Sequence, residues 1–144
     1  MERSLELDDQ LCFPLYAAAR AVTRAYSQLL SDSGLTYPQY LVLLALWSSE
    51  TPLSVGELGE RLHLDSGTLT PLLKRLESAG RVSRRRDAAD ERRVLVALTE
   101  SGEALRGEAA SIPTEVAALV GIDDGQLEVL KGLLTTIIDR LESR

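Results

Sequence analysis

Five residue types occur only once each in these 144 residues: cysteine, histidine, methionine, tryptophan and phenylalanine. With Cys12 alone, no intrachain disulfide can form, and with His63 as the only imidazole a thiolate and imidazole metal site has too few ligands. Carboxylates alone could gather a hard cation, but the spacing of a calcium loop is absent. Absent too are a Gly-rich phosphate loop, a Gly-x-Ser-x-Gly turn and a His-Glu-x-x-His helix. A conventional enzyme is therefore not expected, nor a cofactor. No window approaches the roughly 18 uncharged apolar residues of a membrane span, and the leading Met1-Glu2-Arg3 is unlike a secretory signal. The expected location is the cytoplasm, with no membrane partner.

Apolar residues make up 44% of the chain and charged residues 26%, which excludes a disordered class and fits one domain with a sizeable core. The formal net charge of −6 at first argues against a nucleic-acid partner. Its distribution reverses that reading. From Arg61 to Leu98 nine Lys/Arg stand against five Asp/Glu, whereas the remainder holds seven against seventeen. A local basic footprint can hold one face on a duplex while the acidic remainder limits indiscriminate binding.

That basic stretch is organised. Leu69, Leu72, Leu73 and Leu76 follow the spacing of one buried helix face, which turns Gly67, Pro71, Lys74 and Ser78 outward with Thr68, Thr70 and Arg75 on the flanks. Such a small, hydroxylic and basic face suits a partner offering phosphates and base edges. Local rules permit a first turn at Pro71. Gly80 then stops the helix. Arg81-Val82-Ser83-Arg84-Arg85-Arg86 and Arg93-Val94-Leu95-Val96-Ala97-Leu98 read as paired strands around the loop Asp87-Ala88-Ala89-Asp90-Glu91-Arg92. Helix followed by basic hairpin is the order of a winged helix. The alternative is a solvated amphipathic helix and a hairpin of no consequence.

Elsewhere the pattern is helical. A first helix is expected from about Asp9 to Leu30, with Pro14 either as its first residue or bending an earlier turn. Cys12 lies near that end, where the helix dipole favours an anion and Asp8 and Asp9 oppose one. Pro38 suits the first turn of a second helix, whose run Leu41-Val42-Leu43-Leu44-Ala45-Leu46-Trp47 must be surrounded on most sides. After a loop from Ser48 to Leu53, Ser54 and Glu57 form a capping box for a short helix, with His63-Leu64-Asp65 as the turn of a helix-turn-helix. Thr99 caps a further helix, broken or bent at Pro113, and Asp123 and Asp124 precede a last one striped by Leu127, Leu130, Leu133, Leu134, Ile137, Ile138 and Leu141. The terminal helices carry more apolar face than one winged helix covers. Either they pair within the chain or, as favoured here, they build a two-fold homodimer.

Leu64 to Glu77, the wing residues Asp90-Glu91-Arg92-Arg93 and the run Leu98-Thr99-Glu100-Ser101-Gly102 together resemble the MarR family of bacterial transcription regulators. Asp9-Gln10-Leu11-Cys12-Phe13 with Tyr16, and Leu35-Thr36-Tyr37-Pro38-Gln39-Tyr40, resemble its OhrR branch, whose members sense organic hydroperoxides. The resemblance spans nearly the whole chain. It implies a mainly α fold with a small β-hairpin wing: a single domain over 1–144, its winged helix-turn-helix at 38–98 and its dimerisation helices at 8–31 and 100–144. By the same resemblance the recognition helix starts at Ser66. Cys12 matches the peroxide-reactive cysteine, Tyr26 and Tyr37 the tyrosines that hydrogen-bond its sulfur from the partner subunit, and Phe13 and Tyr16 line the sensor pocket. DNA contacts fall on Ser66, Thr68, Thr70, Lys74 and Arg75, with Arg84 and Arg85 as basic neighbours and Arg92, oriented by Asp90, as the wing arginine of the minor groove. Pro14 departs from the pattern, at the point where the first helix presents Cys12.

The function expected from this reading is a repressor on a pseudo-palindromic double-stranded DNA operator. An organic hydroperoxide oxidises its single cysteine, a low-molecular-weight thiol resolves the product, and the operator is released. The alternatives are a regulator of the same fold released by a phenolic ligand, with Cys12 structural, and a thiol peroxidase.

Overall fold

The computed structural model describes residues 4–144; the expectation drawn from Met1-Glu2-Arg3 lies outside the described residues. Among those residues are seven α-helices and one small sheet, a mainly helical architecture with a winged helix-turn-helix. A 3-10 turn at Leu7–Asp9 precedes helix α1, Phe13–Leu29. The helix expected from about Asp9 thus begins four residues later. Cys12 is its N-cap residue and Pro14 sits in the first turn, where the missing amide has no partner to lose.

Helix α2, Tyr37–Trp47, starts with a capping box between Thr36 and Gln39. It buries Tyr40, Val42, Leu43, Leu46 and Trp47 and is the central element of the first part of the chain, packed against α1 and against Val55–Leu62, Ser66–Ser78, Val94–Leu98 and Glu100–Glu108. The loop expected up to Leu53 ends early, because Leu53–Ser54 form a strand, β1. Two residues show no periodicity, so composition gives no sign of it. Helix α3, Val55–Leu62, follows directly, its Ser54 and Glu57 capping each other as expected. His63 closes α3 in the left-handed conformation (φ 54°), and Leu64 N–H donates to the Gly59 carbonyl at 2.9 Å. A β-carbon on Gly59 would lie 2.8 Å from the Leu64 carbonyl, so this tight turn excludes larger residues.

Helix α4 is Ser66–Ser78, capped by Asp65, whose carboxylate accepts from Thr68 N–H at 2.7 Å. A start at Pro71 is thereby overruled: the Asp65 cap begins the helix five residues earlier, and the proline sits inside it. Leu69, Leu73 and Leu76 are fully buried and Leu72 nearly so; full burial of each stabilises the fold by about 2 kcal/mol. Strands β2, Val82–Arg86, and β3, Val94–Leu98, form the wing in the register Val82 to Leu98 and Arg86 to Val94. The expected hairpin is one part of a three-stranded antiparallel sheet ordered β1-β3-β2, with Leu53 opposite Val96.

Helix α5, Glu100–Glu108, is capped by Thr99 and anchored to α2 by Trp47, whose Nε1 donates to the Gly102 carbonyl at 3.0 Å. Gly102 lies so close to the Arg81 carbonyl that no side chain would fit there. The described chain divides into two compact units, the first ending at Ala110 and the second spanning Ser111–Arg144. The second holds α6, Ile112–Val120, with Pro113 in its first turn, and α7, Asp124–Glu142, with an Asp123 and Gln126 capping box. Along α7, Leu127, Leu130, Leu133, Ile137, Ile138 and Leu141 are all exposed. No described helix is long and apolar enough to cross a membrane.

Candidate nucleic-acid interface and thiol site

With four leucines drawn inward, α4 presents Ser66, Gly67, Thr68, Thr70, Pro71, Lys74, Arg75 and Ser78 to solvent. Arg75 turns back along the helix, its Nε donating to the Pro71 carbonyl at 3.3 Å. Asp65 holds the N-terminus, and the Thr68 amide and hydroxyl keep its carboxyl below the usual carboxylate range. The outward face therefore carries two cations and four hydroxyls, with the acid at its N-terminus occupied in capping.

The wing sorts its arginines into different tasks. Arg92 has a side chain 91% exposed, yet the Asp90 carboxylate accepts from its Nε at 3.1 Å, from its Nη2 at 3.3 Å and from its backbone N–H at 3.2 Å. This three-point hold aims the guanidinium, and the Arg92 side chain, followed by its amide, keeps Asp90 below the ordinary range. Arg85 is exposed. Arg84, placed among the same basic neighbours by sequence, is half-buried and turned to Glu77 of α4, whose carboxylate accepts from Arg84 Nη2 and from its backbone N–H, both at 3.1 Å. That pairing, through the Arg84 side chain first, holds Glu77 below its usual value. Its geometry fastens the root of the wing to the recognition helix.

Arg93 completes the wing. Its Nη2 lies 3.1 Å from Glu57 of α3 and its Nη1 3.5 Å from Asp87. Sequence reading used Glu57 only as a cap and Glu77 only as a helix residue; pairings across 36 and 7 positions leave no local pattern to find.

The candidate thiol site is open in the single chain. Cys12 is exposed, and its carbonyl accepts from the Tyr16 amide at 3.1 Å, which places Tyr16 one turn along the same face. The Tyr16 hydroxyl accepts from Arg20 Nη1 at 3.0 Å, and that guanidinium lies 5.7 Å from the ring centre. Phe13 and Tyr16 are 39% and 60% exposed. Tyr26 and Tyr37 stack with ring centres 4.1 Å apart and planes within 12°, and Tyr40 packs 5.7 Å from Tyr26. Burial, before any other cause, raises all three phenols above their ordinary value; a hydrogen bond between Tyr26 and Tyr37 lowers the first and raises the second. Cys12 and Tyr26 sit at opposite ends of α1, fourteen residues and about 21 Å apart at the helical rise. One chain does not bring the sulfur and these tyrosines together.

A family model described as transcriptional regulator SarA/Rot matches residues 24–108. The chain is 52% identical to the HTH-type transcriptional regulator TtmR of Methylorubrum extorquens, over 96% of this chain and 70% of that one. It is 46% identical to the organic hydroperoxide resistance transcriptional regulator of Bacillus subtilis, over 97% and 95%. Among solved structures, reduced AbfR bound to DNA, a Staphylococcus epidermidis protein, aligns with a TM-score of 0.79 and 36% identity, covering 94% of both chains.

Proposed function

Because the chain belongs to the MarR and SarA/Rot family of winged-helix transcriptional regulators, we propose that it is a cytoplasmic, DNA-binding repressor that senses organic hydroperoxides through Cys12. The carrying observation is the separation built into α1. Cys12 lies at one end of it and Tyr26, with Tyr37 of α2 stacked on it, near the other, so a second copy running antiparallel brings the thiol of one chain to the tyrosines of the other. The exposed apolar side chains of α1 and, separately, those of α7 supply surface for such a homodimer. Tyrosine hydroxyls donate to a thiolate, while Phe13 and the neighbouring leucines favour an apolar peroxide.

In this reading the Cys12 thiolate attacks the terminal peroxide oxygen, the O–O bond breaks, an alcohol leaves, and sulfur is oxidised to a sulfenic acid. With no second cysteine in the chain, a low-molecular-weight thiol attacks the sulfenic sulfur, expelling water and forming a mixed disulfide. The bulkier sulfur displaces the tyrosines, and α1 carries the strain to the spacing of the two recognition helices.

On DNA, each α4 enters a major groove through Ser66, Thr68, Thr70, Lys74 and Arg75. Arg92, aimed by Asp90, reaches the minor groove, and the two copies read half-sites about 34 to 36 Å apart on a pseudo-palindrome. The domain assignment follows: 38–98 reads, and 8–31 with 100–144 joins the copies.

The test uses the wild type and Cys12→Ser on an operator selected from a random-sequence duplex pool, with and without cumene hydroperoxide, and mass spectrometry of the same samples. The expected result is release of the wild type, together with a mass gain at Cys12, and no response from C12S. Peroxide release of C12S removes the redox reading and leaves regulation by a phenolic ligand.

A further inference from the structure

Glu57 carries two loads on one side chain. Its Oε2 accepts from Ser54 N–H at 2.8 Å and closes the start of α3, while its Oε1 accepts from Arg93 Nη2 at 3.1 Å. Arg93 is bound into the wing loop as well: its N–H donates to the Asp90 carbonyl at 2.9 Å, its own carbonyl accepts from Asp87 N–H at 2.9 Å, and its Nη1 faces Asp87. The peptide carrying Arg92 therefore lies between Asp90, which grips the Arg92 guanidinium, and Arg93, which is tied to α3. The wing is fastened twice, at its root by Glu77 with Arg84 and near its tip by Glu57 with Arg93. Exposure separates the two adjacent arginines: the Arg92 side chain is 91% open and that of Arg93 44%.

We infer that Glu57 is a positioning residue for DNA reading, with Arg93 as its tether, and that it acts through the placement of Arg92 without touching DNA itself. The inference rests on the DNA-binding reading above. Two effects of this carboxylate oppose each other. Its charge stands beside a surface meant for phosphates, so electrostatics alone predicts tighter binding once it is neutralised. Its grip on the wing predicts the reverse.

Glu57→Gln separates them, since a glutamine amide still accepts from Ser54 N–H and preserves the capping box but offers Arg93 no charged acceptor. Binding to the duplex selected by the wild type, and to a scrambled duplex, is measured for the wild type, E57Q, R92A and the double variant at one salt concentration, with melting temperatures alongside. The expected result is a loss of about two- to fivefold in operator affinity for E57Q, a scale set by an exposed ion pair that orders a contact arginine. Scrambled-duplex affinity stays the same or rises, melting stays near wild type, and E57Q makes no further difference in the R92A background. Equal or tighter operator binding by E57Q overturns the inference. So does a loss of the same size when Arg92 is already alanine, which places the effect in the α3 cap. A wild type that selects no duplex overturns the DNA-binding reading itself, whereas a binding wild type with an unaffected E57Q overturns this inference alone.

Discussion

The wing and recognition helix differ from the N-terminal half of α1 in how much of their chemistry one chain completes. In the first region four acids are already matched within the chain: Asp65 to Thr68, Glu77 to Arg84, Asp90 to Arg92, Glu57 to Arg93. In the second, Cys12, Phe13 and Tyr16 lie in the open, and Tyr26, with Tyr37 stacked on it, is about 21 Å from Cys12 along the helix. A surface built to meet a rigid duplex gains from preorganisation, which lowers the ordering cost at binding. A surface completed by a second copy, as proposed for the thiol, can change state when that junction changes.

The comparison breaks most severely through the core. Leu73→Ala, at a fully buried position under the recognition helix, should lower unfolding free energy by about 2 to 5 kcal/mol in a denaturant titration. Next in size is Arg92→Ala, expected to weaken operator binding by about 1 to 3 kcal/mol, roughly 5- to 150-fold, while the rate of Cys12 oxidation by cumene hydroperoxide stays unchanged. A matching fall in that rate would erase the distinction between the two regions. Tyr37→Phe tests the other side. It should slow Cys12 oxidation severalfold, read by stopped-flow consumption of peroxide, and leave operator affinity of the reduced protein intact.

The smallest effect is in pH. Glu77, Asp65 and Asp90 are held below ordinary values of 4.5, 3.8 and 3.8, so the unfolded chain takes up protons first as pH falls. Their contribution is present above those values and is lost as pH drops through the folded ones. Tyr26 and Tyr37 are raised above 10.0, so their contribution is present below that value and is lost as pH climbs toward the folded ones. Glu77→Gln should flatten the acid limb of a melting-temperature profile, and Tyr26→Phe the alkaline limb.

Much of the reading region was legible because its cues are local. The leucine spacing of α4, the Ser54 and Glu57 cap, and the strands on either side of Asp87 to Arg92 are each written in neighbouring residues of the chain. Side-chain direction within a run of arginines was not. Arg84 and Arg85 are indistinguishable in composition, and only the strand's alternation together with the position of Glu77 turns one inward and leaves the other exposed. The start of α1 was displaced because capping there has no polar side chain to mark it: Cys12 makes no side-chain cap. The thiol site was named by resemblance, and its parts lie apart in one chain because no sequence distance within α1 can close them.

The chain's one tryptophan stands in a row of aromatic rings. Trp47 meets Tyr40 edge-on at 6.2 Å, Tyr40 packs on Tyr26, Tyr26 stacks on Tyr37, and the indole N–H is fixed on the Gly102 carbonyl. The chain thus carries a single indole fluorophore, shielded from water and coupled to the tyrosine stack. Selective excitation of the indole gives an unlabelled optical signal whose colour and intensity follow any repacking of that aromatic row, on the same sample and timescale as the chemistry proposed at sulfur.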